Sequence, residues 1–257
     1  NNLGIVYTEG DLYKYFENTY SNTLEHSLTF RKQFGDINWK STFKYSWENY
    51  EYETFEAFGN NFAIIVTPSL DAFATEDISA SSQVREIQSQ NIYGTLYLNF
   101  KDTYIVDALL RQDESSLFGV DARKNLYYRV SAAYRVTETF DLPLIDDLKL
   151  RFAQGTSGNR PGFSWQYETF SLNNGSASPS TLGNTELKPS ETTETEFAVN
   201  ANVGKVAVEA IYSIAETRDQ FLRVPLLPVA GFNAQYQNAG TVQSNTIEFN
   251  IYANLAQ

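Results

Sequence analysis

The stretch LKLRFAQGTSGNRPGF, residues 148–163, decides the fold. Its first half alternates: Leu148, Leu150 and Phe152 lie on one side, and Arg151 lies on the other. A period of two predicts a β-strand with one apolar face and one charged face. The second half is mainly Gly, Ser, Asn and Pro, which predicts that the strand ends in a long loop.

The same alternation recurs along the chain and predicts about nine strands. They fall at residues 22–34, 38–50, 91–100, 104–112, 126–135, 147–156, 191–203, 205–217 and 246–253. Strands in soluble sheets usually have about five or six residues. A strand of about ten residues, tilted near 45°, crosses the hydrocarbon of a bilayer. Several of the predicted strands reach that length.

The connections between these strands alternate in length. Short turns are predicted at Gly35–Asp36, Lys101–Thr103 and Gly204–Lys205, with a moderate connection at 137–146. Long loops are predicted at 51–90, 113–125, 157–190 and 218–240. This asymmetry is typical of outer-membrane barrels, which have tight periplasmic turns and long extracellular loops. A soluble antiparallel sheet with one solvated face, in a sandwich or a lipocalin-like barrel, is the alternative.

Composition narrows the function classes. The 257-residue chain has no cysteine, which excludes disulfides and thiolate chemistry. Its net charge of −12 argues against nucleic-acid binding, which needs clustered Lys and Arg. No run approaches the roughly 18 apolar residues of a transmembrane helix. The chain lacks methionine, begins at Asn1 and shows no signal peptide, so we expect a processed chain or a piece of a longer one.

The sequence offers no catalytic or metal-binding constellation. His26 is the only histidine, so a zinc site is not expected. Asp146–Asp147 precede a predicted strand and are interpreted as solvated charge. Residues 155–162, GTSGNRPG, lack the Lys-Ser/Thr ending of a phosphate-binding loop and are interpreted as an exit from a strand. We therefore expect neither an enzyme nor a resident metal or cofactor.

Four longer stretches carry a family resemblance. They are residues 91–119, 148–170, 182–197 and 237–251. In order and spacing they resemble the C-terminal half of the barrel in the SusC/RagA family of TonB-dependent outer-membrane transporters. The matching positions are Ser116–Gly119, Lys149–Arg151, Gly155–Asn159, Asn184–Pro189 and Glu248–Phe249. Ser190 and the segment 244–246 depart mildly from the family pattern.

The resemblance implies an all-β, antiparallel transmembrane barrel of about 22 strands with a plug in its lumen. Residues 1–257 would form nine or ten of those strands, as a partial barrel domain without the plug or the TonB box. The resemblance further implies uptake of oligosaccharides or peptides, driven by the TonB complex, with a SusD-like surface lipoprotein as partner. The location would be the outer membrane of a Gram-negative, Bacteroidota-like bacterium, with outer-membrane lipid around the barrel. A structural or secretion-associated barrel, or a soluble β-rich binding module, stays open as an alternative.

Two groups of residues are candidates for function. Aromatic side chains among amides in the predicted long loops suit sugar or peptide recognition, although packing between loops would also explain them. These are Trp165, Tyr167, Phe170, Phe232 and Tyr236. The second group is predicted to face the lumen from the polar sides of the strands. It comprises Arg111, Arg129, Arg135 and Arg151.

Overall fold

The computed structural model describes residues 10–62, 68–173 and 175–253, and these contain thirteen β-strands. In chain order the strands are β1 (Asp11–Phe34), β2 (Ile37–Asn60), β3 (Ile78–Phe100), β4 (Tyr104–Ser115), β5 (Lys124–Arg135), β6 (Asp147–Asn159), β7 (Thr169–Asn173), β8 (Ser176–Leu182), β9 (Ser190–Val203), β10 (Val206–Arg218), β11 (Phe221–Pro225), β12 (Ala234–Asn238) and β13 (Thr241–Ala253). Five 3-10 helices of three residues each lie in the connections: Leu70–Ala72, Thr75–Asp77, Val120–Ala122, Val136–Glu138 and Pro228–Ala230. None of the helices in the described ranges has the length and hydropathy of a membrane span.

The strands form two sheets. Nine of them make one sheet in the order β1-β2-β3-β4-β5-β6-β9-β10-β13. The register from β3 to β13 is antiparallel at every pair. The other four strands form a small sheet in the order β11-β12-β8-β7, in which β8 and β12 pair in parallel. The nine predicted strands are therefore confirmed, and the small sheet is additional.

The predicted loop at 51–90 is wrong. β2 continues to Asn60 and β3 begins at Ile78, so the connection is reduced to residues 61–77. β1 likewise begins at Asp11, well before the predicted residue 22. These extensions are rich in Glu, Tyr and Ser and have no continuous apolar side. A strand that continues beyond the hydrocarbon does not need an apolar face, so the periodicity fades although the pairing continues.

The predicted short turns are confirmed, and the backbone shows why they are tight. Gly35 and Gly204 have φ of 57° and 56°, the left-handed region in which glycine carries no Cβ penalty. Lys101 and Asp102 also have positive φ, at 55° and 53°. Asn99 stabilises that turn, because its Oδ1 accepts a hydrogen bond from the Asp102 backbone N–H at 3.0 Å.

The apolar sides of the strands align across six neighbouring strands, β4-β5-β6-β9-β10-β13. Register partners on this face include Tyr104 with Tyr134, Leu150 with Val199, Phe152 with Phe197, and Tyr212 with Ile247. The rings of Tyr104 and Tyr134 stack at 5.0 Å. This face is uncovered: Leu110, Leu126, Phe249 and Ile247 are 56%, 61%, 63% and 80% exposed. So large an apolar surface needs an apolar environment.

By contacts the chain divides into two compact units. The smaller comprises residues 1–23 and 48–88. In its described part the Phe62 and Phe73 rings lie 4.1 Å apart, and Ala57 and Ala72 are buried. The larger comprises residues 24–47 and 89–257. Its buried apolar residues, Leu117, Phe118, Leu187, Ala198 and Ala234, lie mostly in connections rather than between sheet faces.

Candidate binding surfaces

Three connections of the larger unit pack together into a surface that we call the loop platform. It consists of residues 116–123, residues 160–189 without residue 174, and residues 219–240. Leu187 and Ala234 are 1% and 0% exposed, so the platform has its own small core. The Gln166 Nε2 donates to the Ser116 carbonyl oxygen at 2.9 Å and ties two of the connections together. The long loops are therefore a folded structure, because buried contacts and ladder hydrogen bonds fix them.

Close backbone approach also holds the platform together. A Cβ at Gly119 would lie 1.9 Å from the Thr185 carbonyl oxygen. A Cβ at Gly183 would lie 2.6 Å from the Tyr167 carbonyl carbon. Real Cβ atoms do not approach backbone atoms so closely, so only glycine fits at these two crossings.

The structure brings the five predicted aromatic residues into three separate contacts. Trp165 stacks on Tyr236 with ring centroids 4.0 Å apart and an interplanar angle of 8°. Phe170 meets Phe232 edge to face at 6.0 Å, and Tyr167 lies 6.1 Å from Phe163. The side chains of Tyr167 and Phe170 are about half exposed. The stack of Trp165 on Tyr236 joins two of the connections. Ligand contact by these residues stays a prediction.

A polar cleft of about 580 Å³ opens in the platform beside the Trp165–Tyr236 stack. It is lined by Gly183, Asn184, Thr185, Glu186, Lys188, Asp219, Gln235, Gln237 and Asn238. The sequence did not group these residues as one site, because they come from two separate segments, 183–188 and 219–238. Several of the amides are already engaged: Asn184 Nδ2 donates to the Tyr236 carbonyl at 2.8 Å, and Gln235 Nε2 donates to the Gly183 carbonyl at 3.0 Å. These amides therefore hold the walls of the cleft in place.

The four predicted arginines lie on the polar face of the large sheet, and each pairs with a carboxylate. The pairs are Arg111 with Asp113, Arg129 with Asp107, Arg135 with Glu138 and Asp147, and Arg151 with Glu209. A charged face of this kind suits a hydrated environment, because an ion pair in a dry interior carries a large desolvation cost. That these arginines surround a lumen stays a prediction.

One carboxylate on this face connects four adjacent strands. Glu209 Oε1 accepts from Arg151 Nη2 at 2.8 Å and from Asn200 Nδ2 at 2.9 Å. Its Oε2 accepts from Asn250 Nδ2 at 3.4 Å. β6, β9, β10 and β13 each contribute one side chain to this network, so the polar face is ordered rather than a loose set of solvated charges.

The motifs interpreted as structural have structural contacts. Asp147 pairs with Arg135, and Asp146 Oδ2 accepts from the Gly204 backbone N–H at 2.6 Å across two turns. A Cβ at Gly158 would lie 2.0 Å from the Tyr127 hydroxyl, so that glycine makes room for a ring. In residues 10–62, 68–173 and 175–253, no three His, Asp or Glu side chains are grouped to hold a metal ion.

Replacing Trp165 with alanine is expected to loosen the platform. The indole contacts both Tyr236 and Phe221, at 4.0 and 5.2 Å, and loss of a large packed ring typically costs about 3 kcal/mol or more. Tyr167→Ala is the matched control, because Tyr167 is half exposed and should cost less than about 1 kcal/mol. Amide hydrogen exchange of residues 219–240 measures the difference. Equal protection in the two variants would contradict the structural role of the stack.

Antiparallel strands with one uncovered apolar face and one ion-paired face, short turns and long folded connections define a segment of an outer-membrane β-barrel. Residues 1–256 match the family described as "TonB dependent receptor-like, beta-barrel". The chain belongs to that family, and the expected all-β barrel segment and the SusC/RagA resemblance are confirmed. This is a receptor and transporter family rather than an enzyme family, and its members are located in the outer membrane of Gram-negative bacteria.

Curated relatives come from Formosa agariphila. The chain is 29% identical over 204 residues to TonB-dependent receptor P26, an alignment that covers 70% of this chain and 20% of the relative. It is 26% identical over 180 residues to TonB-dependent receptor P39, covering 63% of this chain and 17% of the relative. The chain therefore spans about a fifth of the length of the curated receptors it matches.

Solved structures show the same fold. The RagAB peptide importer in its closed-closed state matches 95% of this chain and 28% of the solved chain, with a TM-score of 0.78 and 22% identity. The outer-membrane transporter YddB from Escherichia coli matches 91% of this chain and 30% of its own, with a TM-score of 0.65 and 11% identity. At these identities the likeness concerns the fold alone.

Proposed function

We propose that this chain is part of the barrel of a TonB-dependent importer that takes up oligosaccharides or peptides through the outer membrane of a Bacteroidota-like bacterium. The uncovered apolar face across six strands carries the proposal, since a soluble binding module would cover it. The relatives from Formosa agariphila and the fold shared with the RagAB peptide importer support it.

The loop platform is the part of the chain that meets substrate and partner in this proposal. A SusD-like lipoprotein closes over it from the extracellular side. Leu172, Leu227 and Val229 are 78%, 75% and 92% exposed there, more than a solvated loop needs. The folded core of the platform keeps these side chains in fixed positions, which lowers the entropy cost of binding a partner.

The remaining parts of the importer are proposed to lie in the rest of the receptor. Residues 1–257 form a partial barrel domain, and the plug and the TonB box lie in the full-length protein. The ion-paired arginines line the lumen, where they keep the bore hydrated and contact the plug. Because their charges are balanced by carboxylates of the same chain, the lumen has no strong net positive field at these positions.

Neutralising the four arginines tests the proposal. In the full receptor, Arg111→Gln, Arg129→Gln, Arg135→Gln and Arg151→Gln are expected to lower TonB-dependent uptake about tenfold when combined. Each single variant should change folding little, since each partly exposed pair contributes only about 1 kcal/mol or less, and the uptake of the combined variant is compared at equal amounts of folded receptor. Lys205→Gln is the control, because Lys205 lies in the short turn between β9 and β10, outside both the loop platform and the polar face.

Uptake is measured with labelled oligosaccharides and peptides in cells with and without a functional TonB complex. Folding is measured by the heat-dependent shift of barrel mobility on gels. Unchanged transport in the combined variant would remove the assignment of these arginines. Uptake that does not depend on TonB would remove the importer assignment itself.

A further inference from the structure

The smaller compact unit contains a cluster of side chains that the importer function has not used. We call it the tyrosine strip, and it consists of Tyr13, Tyr15, Glu17, Tyr52, Glu56, Ser81 and Arg85. These residues belong to β1, β2 and β3, which run for 24, 24 and 23 residues. A strand needs only about ten residues to cross the hydrocarbon. The surplus length carries the strip, so its residues are not required for spanning.

Two tyrosine rings of the strip lie nearly parallel and are about half exposed. Tyr13 and Tyr15 are two residues apart in β1 and therefore point to the same side of the strand. Their ring centroids are 6.3 Å apart with an interplanar angle of 15°. Tyr13 is 56% exposed and Tyr15 is 49% exposed. The two rings therefore form a short, nearly parallel series along the strand direction.

Hydrogen bonds hold these rings by their hydroxyl groups. Tyr13 Oη donates to Glu56 Oε2 at 2.9 Å, and Ser81 Oγ donates to the other carboxylate oxygen of Glu56 at 2.8 Å. Tyr15 Oη donates to Glu17 Oε2 at 2.5 Å. Tyr52 Oη also donates to that oxygen, at 3.3 Å. Because the phenol groups are fixed in this way, the ring faces are set before any ligand arrives.

The carboxylates of the strip accept from neutral hydroxyl groups. Within the described residues, neither Glu17 nor Glu56 forms an ion pair with a Lys or Arg. The Arg85 guanidinium lies 5.8 Å from the centre of the Tyr52 ring, and its Nη2 donates to Gln83 Oε1 at 2.7 Å. A cleft of about 240 Å³ opens next to Tyr13 and Glu56, with Phe58 and Ser79 in its wall.

We propose that the tyrosine strip binds an uncharged oligosaccharide. This inference rests on the proposed function and specifies the class of ligand that the importer binds. The C–H faces of sugar rings stack on exposed aromatic rings, and sugar hydroxyls donate to carboxylate oxygens. A glycan that carries carboxylate or sulfate groups is repelled by Glu17 and Glu56. The two carboxylates would also attract a cationic peptide, so the lysine-rich peptide is the competing ligand in the test; the half-exposed tyrosine rings favour the sugar.

Binding to the full receptor in detergent tests the inference. Calorimetric titration uses three probes: a neutral hexose oligosaccharide series, the matching uronate series, and a lysine-rich peptide. Tyr13→Ala combined with Tyr15→Ala is expected to weaken binding of the neutral oligosaccharide about tenfold. Tyr13→Phe combined with Tyr15→Phe keeps the rings and should lose less than about threefold.

A matched control lies on the other side of the same strand. Tyr20 is 55% exposed and has the opposite parity to Tyr13 and Tyr15, so Tyr20→Ala should leave the affinity unchanged. Folding of every variant is checked by heat-dependent gel mobility. If the paired alanine variant binds the neutral series as well as wild type, the strip is not the site.

The remaining outcomes separate this inference from the proposed function. Binding of uronates or lysine-rich peptides alone, or of no oligosaccharide in the series, overturns the ligand class while TonB-dependent uptake can persist. Loss of neutral glycan binding in the paired alanine variant, in a receptor whose uptake is independent of TonB, supports the strip and removes the importer assignment.

Discussion

Replacing Gly119 with alanine is expected to open the loop platform. The added Cβ would lie 1.9 Å from the Thr185 carbonyl oxygen, and a backbone atom cannot move aside as the end of a side chain can. Gly119 has φ of −56°, so alanine meets no backbone strain and packing alone decides the result. Overpacking of this severity costs about 3 kcal/mol or more. Amide exchange in residues 160–189 should accelerate about a hundredfold.

Gly94→Ala provides the matched control for this substitution. Gly94 lies in β3, and a Cβ there has nothing within 4 Å. Its free energy of unfolding should change by less than about 0.5 kcal/mol. Equal exchange rates in the two alanine variants would show that the crossing at Gly119 does not hold the platform together.

Placing a lysine at Val199 is expected to block barrel assembly. Val199 lies on the uncovered face of β9 between Leu150 of β6 and Ala210 of β10. A lysine facing lipid near the bilayer midplane costs about 2–4 kcal/mol. The folded fraction of the receptor in outer-membrane vesicles should therefore fall sharply. Heat-dependent gel mobility after urea titration measures the loss.

Ser213→Lys tests the same change on the opposite face. Ser213 of β10 is the register partner of Glu196, so the new ammonium group would meet a carboxylate in a hydrated environment. The free energy of unfolding should move by less than about 0.5 kcal/mol. If the two lysine variants assemble equally well, the apolar side does not face hydrocarbon.

The alternation of apolar and polar residues predicted most strands of the large sheet, because a strand that crosses lipid needs an apolar residue at every second position. β9, predicted at 191–203, is found at Ser190–Val203, and β6 begins at Asp147 as predicted. The C-terminal part of β2 was not predicted as a strand, because a strand that extends beyond the hydrocarbon does not need an apolar face. Its residues 51–60 mix Glu with aromatic side chains and follow no single face.

The candidate sites were less predictable than the strands, because they depend on contacts between distant segments. Trp165 and Tyr236 could each be singled out as aromatic loop residues, but their stacking depends on how two loops cross. Tyr13 lies in a stretch without clear alternation, and its partner Glu56 lies in the predicted loop at 51–90. The ionic partners of the arginines depend on the register between neighbouring strands. Asp107 of β4 lies opposite Ser131 of β5, which is two residues from Arg129, and Asp107 pairs with Arg129.

The parallel pairing of β8 with β12 has a consequence for biogenesis and evolution. Ala234 and Gln235 lie beside Thr181 and Leu182, although β9, β10 and β11 separate the two strands in the chain. The connection that contains β8 cannot complete its hydrogen bonding until the later connection, with β12, has been synthesised and has folded back against it. A mutation that shifts β8 or β12 therefore disrupts the pairing of the other strand. We expect the sequences of the two connections that contain these strands to change together during evolution.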